Sequence, residues 1–292
     1  FQTNLELSYC ISLNHQFSIQ DHYTTKKYNS KFLHLHGLQN STMRLENNNI
    51  HTFKPIQNPS FEALKFKNIG KMKVFEDFPI KLKSGETKTD CFVRANSDED
   101  RFYIDIENQA GRRLGISTSN TLNEKGTLYN NTIENLHREL PIQGIGSTMR
   151  LGQIIVLLEN PNLNKIKFFS MGNAVFFHAK FNFRPAITKI GELSNKLEDI
   201  AAHTNDKRFE ANVKEAKQFL EYNKFEKKLH IKEGNNILNS YLQNILKNNL
   251  QNDPKFKIYS GFDMELSKKD ILENKDFYNS LFQKYGIDYQ IQ

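Results

Sequence analysis

Between residues 101 and 108 apolar and polar side chains alternate, with Phe102, Ile104 and Ile106 on one side and charged or polar neighbours between them. A period of two predicts a half-buried β-strand. Asn108-Gln109-Ala110-Gly111 then reads as a hairpin turn and 113–117 as its partner strand. A third strand fits 127–136, and shorter ones fit 72–75, 80–82 and 91–93. Earlier, Leu5, Leu7, Tyr9, Ile11 and Leu13 alternate as an edge strand would, and Asn47-Asn48-Asn49 reads as a loop. From residue 149 the period changes. Met149, Leu151, Ile154, Ile155 and Leu158 follow the spacing of a helix buried on one face, which Asn160-Pro161-Asn162 stops. A short strand at 165–171, with Ile166 and Phe168 inward, leads to a helix carrying Ala174, Phe177, His178 and Phe181, broken by Phe183-Arg184-Pro185.

The chain then reads as helical before it reads as strand again. Stripes at three- and four-residue spacing run through Leu193, Leu197 and Ile200, through Phe209, Val213 and Ala216, and through Leu238, Leu242 and Ile245. Residues 256–266 read as a strand. Ser267-x-x-Asp270 is a capping-box variant opening a last helix with Ile271, Leu272, Phe277, Leu281 and Phe282. That helix stops at Gly286, before a final strand at 287–291.

Composition narrows the classes. The 292 residues carry 40 Lys and Arg against 33 Asp and Glu, a net charge of +7, and the pI is near 9.1. A basic surface suits nucleic acid, an anionic membrane or a polyanionic coenzyme. The lysines are spread along the chain, and no nucleic-acid-binding motif is present, so nucleic acid is not the expected partner. A mean hydropathy of −0.64 points to some solvated segments. No run of about 18 apolar residues occurs, so no membrane span is expected, and the first residues show no intact signal peptide. Cys10 and Cys91 give neither a disulfide framework nor a metal-ligand spacing, which makes a reducing, cytoplasmic location the expectation. His34-x-His36 lacks an evident third metal ligand.

Candidate chemistry concentrates at Gln143-Gly144-Ile145-Gly146-Ser147-Thr148. A strand ends near Glu139, the chain turns through two glycines, and a helix is expected to start at Ser147. Glycines there let backbone N–H groups close on phosphate oxygens, and a helix N-terminus adds unpaired donors and partial positive charge. A lone Gly-x-Gly also serves as a tight strand-to-helix turn. A Walker loop is excluded because no Lys follows Gly146, and a dinucleotide fingerprint because Met149 stands where a third Gly or Ala belongs.

Pro141-Ile142-Gln143-Gly144-Ile145-Gly146 resembles the Gln/Arg-x-x-Gly-x-Gly/Ala loop of the GNAT acetyltransferase superfamily, with Pro141 at the first position. The later stretch resembles that family's Ala-x-x-x-Tyr-x-Lys-x-Gly-Phe signature. Ala174, Lys180 and Phe183 match, while His178 stands for the tyrosine and Asn182 for the glycine. Asn tolerates the positive-φ helix end that glycine serves. The resemblance covers about residues 70–187. It implies an α/β (α+β) fold: a GNAT-like mixed, mostly antiparallel sheet flanked by helices, with an inserted helical segment. The chain would divide into a polar N-terminal extension (1–69), an acyl-coenzyme A-binding core (70–187), the helical insertion (188–255) and a strand-helix-strand completing the core (256–292).

The implied function is an acyltransferase that moves an acetyl or other acyl group from acetyl-CoA, the co-substrate, to an amine acceptor, either a small molecule or a protein. The alternative is a catalytically inactive GNAT-like module that binds the coenzyme or a protein partner, which Pro141 and His178 favour. The pyrophosphate would sit on the backbones of Gln143, Gly144, Ile145, Gly146, Ser147 and Thr148, with Lys180 and Arg150 as candidate partners of the distal phosphate. His178 would be the acid that protonates the departing thiolate, since an imidazole titrates near ~6.5. A helix histidine hydrogen-bonded to backbone is the equal alternative. Glu134, His137 and Glu139 are the candidate bases, and alternation puts Glu134 on the opposite strand face from the other two.

Overall fold

The computed structural model describes residues 63–84, 86–98, 101–121, 124–136, 142–204, 206–220 and 227–292. The expected strand at 5–13, Cys10, His34-x-His36, and the segment with His137, Glu139 and Pro141 lie outside the described residues. The chain divides between Gln57 and Asn58 into two units, and everything described belongs to the second.

Strands β1 (Phe66–Ile69) and β2 (Met72–Phe75) pair as a hairpin apart from the main sheet. An antiparallel meander follows: β3 (Phe78–Ser84), β4 (Thr87–Asp98), β5 (Arg101–Asn108), β6 (Arg113–Asn120) and β7 (Thr127–Asn135). The two-residue β8 (Ile142–Gln143) returns to pair with β3. Helix α1 (Ile145–Glu159) then leads to β9 (Lys165–Ser170), which lies parallel to β7. After α2 (Ala174–Ala179) and β10 (Arg184–Pro185), three helices pack on one another: α3 (Ile190–His203), α4 (Lys207–Leu220) and α5 (Lys227–Lys247). The chain re-enters the sheet as β11 (Phe262–Ser267), between β9 and β10, and ends with α6 (Lys268–Glu273) and α7 (Lys275–Lys284). The sheet order is β10-β11-β9-β7-β6-β5-β4-β3-β8, with β7/β9 its parallel pair. This is an α+β fold with a large, mostly antiparallel sheet and several helices.

The alternation of β5 does what its period implies: Phe102, Ile104 and Ile106 are buried on the face that α1 covers. Helix α1 itself departs from the expected one-sided burial. It packs on the sheet and also against the β1–β2 hairpin, so most of its circumference is inside. Gly152 shows the tightness of this arrangement. A Cβ there would lie 2.9 Å from Ile104 Cδ1 on the sheet and 3.3 Å from Phe75 Cζ on the hairpin. Asn160 ends the helix and holds the hairpin, donating to the Lys73 and Val156 carbonyls at 2.8 and 2.7 Å and accepting from Lys73 N at 2.8 Å.

Other boundaries move for local reasons. Residues 256–266 are only partly strand, because Pro254–Phe256 form a 3-10 turn capped by Asp253, and pairing begins at Phe262. The last helix is two helices meeting at Asn274, with Ser267 Oγ accepting from Asp270 N at 3.0 Å as the first cap. Residues 287–291 form no strand: Tyr289 packs its ring on Phe66 and Phe282, and the Asn279 side chain bonds the Ile291 backbone. Apolar alternation there is satisfied by packing on α7 instead of by pairing. Among the described residues, no helix is long and apolar enough to cross a membrane.

Candidate functional site

The parallel pair is closed at one end and open at the other. β7 and β9 are in register at Thr127/Lys165, Leu128/Ile166 and Tyr129/Lys167, and the ladder then stops although β7 runs to Asn135 and β9 to Ser170. The cause lies in β7. Its register with β6 shifts between Thr118 and Ser119, and an extra residue of this kind bends and twists a strand away from its neighbour. The Asn130 side chain turns inward at the shift. It donates to the Thr118 and Thr132 carbonyls at 2.8 Å each and to Ser117 Oγ at 3.3 Å.

The glycine turn lies beside the open stretch of β7, where a Cβ on Gly146 would come within 3.8 Å of Ile133 Cγ2. Gly144 is the N-cap of α1 at φ 97°, a left-handed conformation that lets the chain leave β8 and enter the helix at once. The helix therefore begins at Ile145, earlier than the expected Ser147. No side chain caps it, and its first turn holds no acidic residue. Ile145, Gly146 and Ser147 occupy the first three helical positions, whose N–H groups have no acceptor inside the helix. Thr148 is different. Its N–H donates to the Gly144 carbonyl at 2.8 Å and its side chain is fully buried, so it does not join the available donors. Gly146 faces Phe177 of α2: a Cβ on it would lie 3.4 Å from Phe177 Cζ and 3.8 Å from Ile133 Cγ2 of β7. The turn, the open stretch of β7 and helix α2 thus meet at one point.

His178 points the other way, into the core. It is 8% exposed, its Nδ1 lies 2.9 Å from Arg150 Nη2, and the rings of Phe168, Phe177 and Phe183 surround it. A guanidinium only donates, so Nδ1 accepts and the neutral ring carries its proton on Nε2. Burial, reinforced by the Arg150 charge, pushes the imidazole down to about 2. At neutral pH it holds no imidazolium proton to give a thiolate. Arg150 is fully buried too, and burial alone lowers it to about 9. Its charge is met by Gln153 Oε1 at 2.6 Å and by the faces of Phe168 and Phe183 at 4.3 and 4.6 Å. Gln153 Nε2 continues the network to Ser117 Oγ at 2.6 Å, the hydroxyl that the shifted Asn130 also reaches. Arg150 is therefore a core residue and no partner for a distal phosphate.

The other candidates scatter. Glu134 is exposed and, paired with Ile116, lies on the strand face opposite Ile133 and Gly146. His137 and Glu139 are outside the described residues. Lys180 is exposed at the C-cap of α2, three residues past Phe177 and on the same side of the helix. Gln143 is exposed and in register with Lys83 of β3. Lys83 is one cation that the sequence did not offer for this turn. Lys284 is another: its ammonium lies 5.7 Å from the Tyr285 ring, and that ring sits 3.5 Å from where a Gly144 Cβ would be. Both reach the turn through long-range packing, which leaves no local signal. The sequence offers Phe177 only as one of four residues at helical neighbour spacing, with Ala174, His178 and Phe181.

Among the described residues, no group of three or more His, Cys, Asp or Glu side chains is arranged to hold a metal ion. Compared with known proteins, the chain matches no family model and no curated protein.

Proposed function

We propose that the chain is a GNAT-type protein that binds acetyl-coenzyme A and transfers its acyl group to an amine. The observation that carries this reading is the β7/β9 pair, joined over three register positions and then open, with the uncapped N-terminus of α1 beside the open stretch of β7. The order of elements supports it as well: an antiparallel meander, a glycine turn, a helix, a parallel strand, a second helix and an antiparallel strand. In this reading the N–H groups of Ile145, Gly146 and Ser147 hold the pyrophosphate, and Lys83, Lys180 and Lys284 supply charge around it. The acyl arm runs into the opening between β7 and β9. A second reading, a module that binds the coenzyme without transferring the acyl group, draws on His178, whose burial removes the acid expected at that position.

Calorimetric titration with acetyl-coenzyme A and coenzyme A, combined with thiol release on an amine panel, tests both. Binding is expected, and Gly146→Asp is expected to abolish it in a folded protein, because a carboxylate would stand at the phosphate position. A folded parent that binds neither ligand refutes both readings. Binding without thiol release on any amine favours the second.

A further inference from the structure

Helix α3 ends in a histidine that the proposed transfer leaves unassigned. His203 Nδ1 lies 2.7 Å from the Asp199 backbone carbonyl, one turn earlier, and 3.4 Å from the Asp199 carboxylate. A carbonyl only accepts, so in the neutral ring Nδ1 carries the proton and Nε2 keeps its lone pair. Nε2 has no partner among the described residues, and the side chain is 51% exposed. Asp199 is itself held, because Ser260 Oγ donates to its Oδ2 at 2.9 Å. This is the geometry of a base and the group that orients it.

The dyad sits beside the end of β9, past the point where pairing with β7 has stopped. Segment 258–261 ties the two together. Ile258 N bonds Asn173 Oδ1 at 2.8 Å, and a Cβ on Gly261 would run into the Ser170 carbonyl and come within 2.7 Å of the Phe169 ring. From that segment Tyr259 reaches back to the imidazole, ring centroid to ring centroid 5.2 Å. Tyr259, Phe169 and Met171 are 61%, 51% and 75% exposed, a concentration of large apolar side chains around one polar dyad. Lys257, whose ammonium is 5.1 Å from the Tyr259 ring, adds a positive charge to this cluster, while Asp199 lies at the imidazole.

Resting on the acyltransferase reading above, we infer that Asp199 and His203 form the acceptor side of the site and that the acceptor is an amine carried on an alkyl or aromatic body. The body packs on Phe169, Met171 and Tyr259. The Asp199 charge draws the ammonium in, and His203 Nε2 takes its proton. The neutral nitrogen attacks the thioester carbonyl carbon, the N–C bond forms and the C–S bond breaks. The second nitrogen proton leaves to solvent, and the thiolate is protonated by the imidazolium, which returns Nε2 to its starting state. His203 is then a catalytic residue and Asp199 a positioning residue.

The test uses the full chain with acetyl-coenzyme A, 2-phenylethylamine and a series of n-alkylamines. Histidine ring resonances, with His203 assigned by its loss in His203→Gln, are expected to shift on adding 2-phenylethylamine. Thiol release in His203→Gln is expected to fall by ~10²–10⁴ with affinity for acetyl-coenzyme A unchanged. Asp199→Asn keeps the carbonyl acceptor of Nδ1 and removes the charge, so it is expected to lower kcat while leaving KM for acetyl-coenzyme A alone. A helix-end role for His203 would change stability without that split. If the coenzyme binds but no amine shifts the His203 resonance, or if His203→Gln turns over at the parental rate, the acceptor assignment is wrong. If the coenzyme itself does not bind, the acyltransferase reading fails and this assignment falls with it.

Discussion

Arg150 Nη2 lies 2.9 Å from His178 Nδ1 in the core, and among the described residues no carboxylate pairs with either. A buried cation is thus solvated by a neutral imidazole, an amide oxygen and two phenyl faces. Such an arrangement holds only while His178 is neutral. A second positive charge at that distance in a low-dielectric interior would be strongly repelled.

This gives stability a pH dependence with a defined sign. In the unfolded chain the histidine titrates near ~6.5, whereas in the fold it stays neutral down to about 2. The penalty is absent above the unfolded value and grows as pH falls, because the unfolded state gains a proton that the folded state refuses. The slope is at most about 1.4 kcal/mol per pH unit. Urea unfolding from about pH 7.5 to about pH 5 should therefore cost the parent up to about 2 kcal/mol more than His178→Gln, whose amide oxygen can still accept from Arg150. Equal losses in the two proteins would assign the acid sensitivity to other groups.

Substitutions at His178 should act on stability and not on turnover. His178→Phe leaves Arg150 Nη2 without its acceptor, at a cost of about 1–3 kcal/mol. His178→Tyr adds a longer ring to a space already bounded by Phe168, Phe177 and Phe183, for about 1–3 kcal/mol of overpacking. Thiol release by the folded fraction of either variant should match the parent. A rate loss of a hundredfold in fully folded His178→Phe would restore it as the acid.

Asn160 joins three parts of the molecule, two of them through its side chain, and loss of the side-chain amide should be felt in those two. Its side-chain amide donates to the Val156 and Lys73 carbonyls, and its backbone carbonyl accepts from Lys268 Nζ at 2.7 Å. Asn160→Asp keeps the shape but replaces both donors with acceptors, so two carbonyls face a carboxylate. A loss of roughly 2–4 kcal/mol is expected from the unmade bonds, measured by urea unfolding. A change under about 0.5 kcal/mol would mean that water replaces the amide there.

What the sequence made legible follows the range of each signal. Alternation at Phe102, Ile104 and Ile106 needs only a near neighbour and appears as β5. The three helical stripes after residue 188 appear as α3, α4 and α5 for the same reason. The two glycines mark a real strand-to-helix turn, but its partners do not show in the local pattern. Phe177, Lys83 and Tyr285 come to it from a second helix, a distant strand and the last helix. His178 shows the limit most clearly. Helical spacing put it on one face with Phe177 and Phe181, yet a single step along the helix separates a ring at the turn from an imidazole buried against Arg150. No spacing rule says which of two adjacent residues looks into a cleft. The same limit applies to 287–291, where alternation recorded a packed coil and no strand.

The two glycines of the turn should respond in opposite directions to alanine. Gly144 holds φ 97°, so Gly144→Ala carries a left-handed backbone penalty of about 1–2 kcal/mol, with its Cβ 3.4 Å from Leu82 Cδ2. Gly146 lies inside α1, and a Cβ there meets Phe177 at 3.4 Å, an ordinary contact. Gly146→Ala should therefore leave stability unchanged or raise it by up to about 1 kcal/mol through helix propensity. Its methyl also stands beside the first-turn N–H groups, so affinity for acetyl-coenzyme A should fall while stability holds. Urea midpoints and calorimetric affinities of the two variants separate the roles. If Gly146→Ala binds the coenzyme as the parent does, the glycine serves the approach of Phe177, and the phosphate site must be sought elsewhere on the molecule.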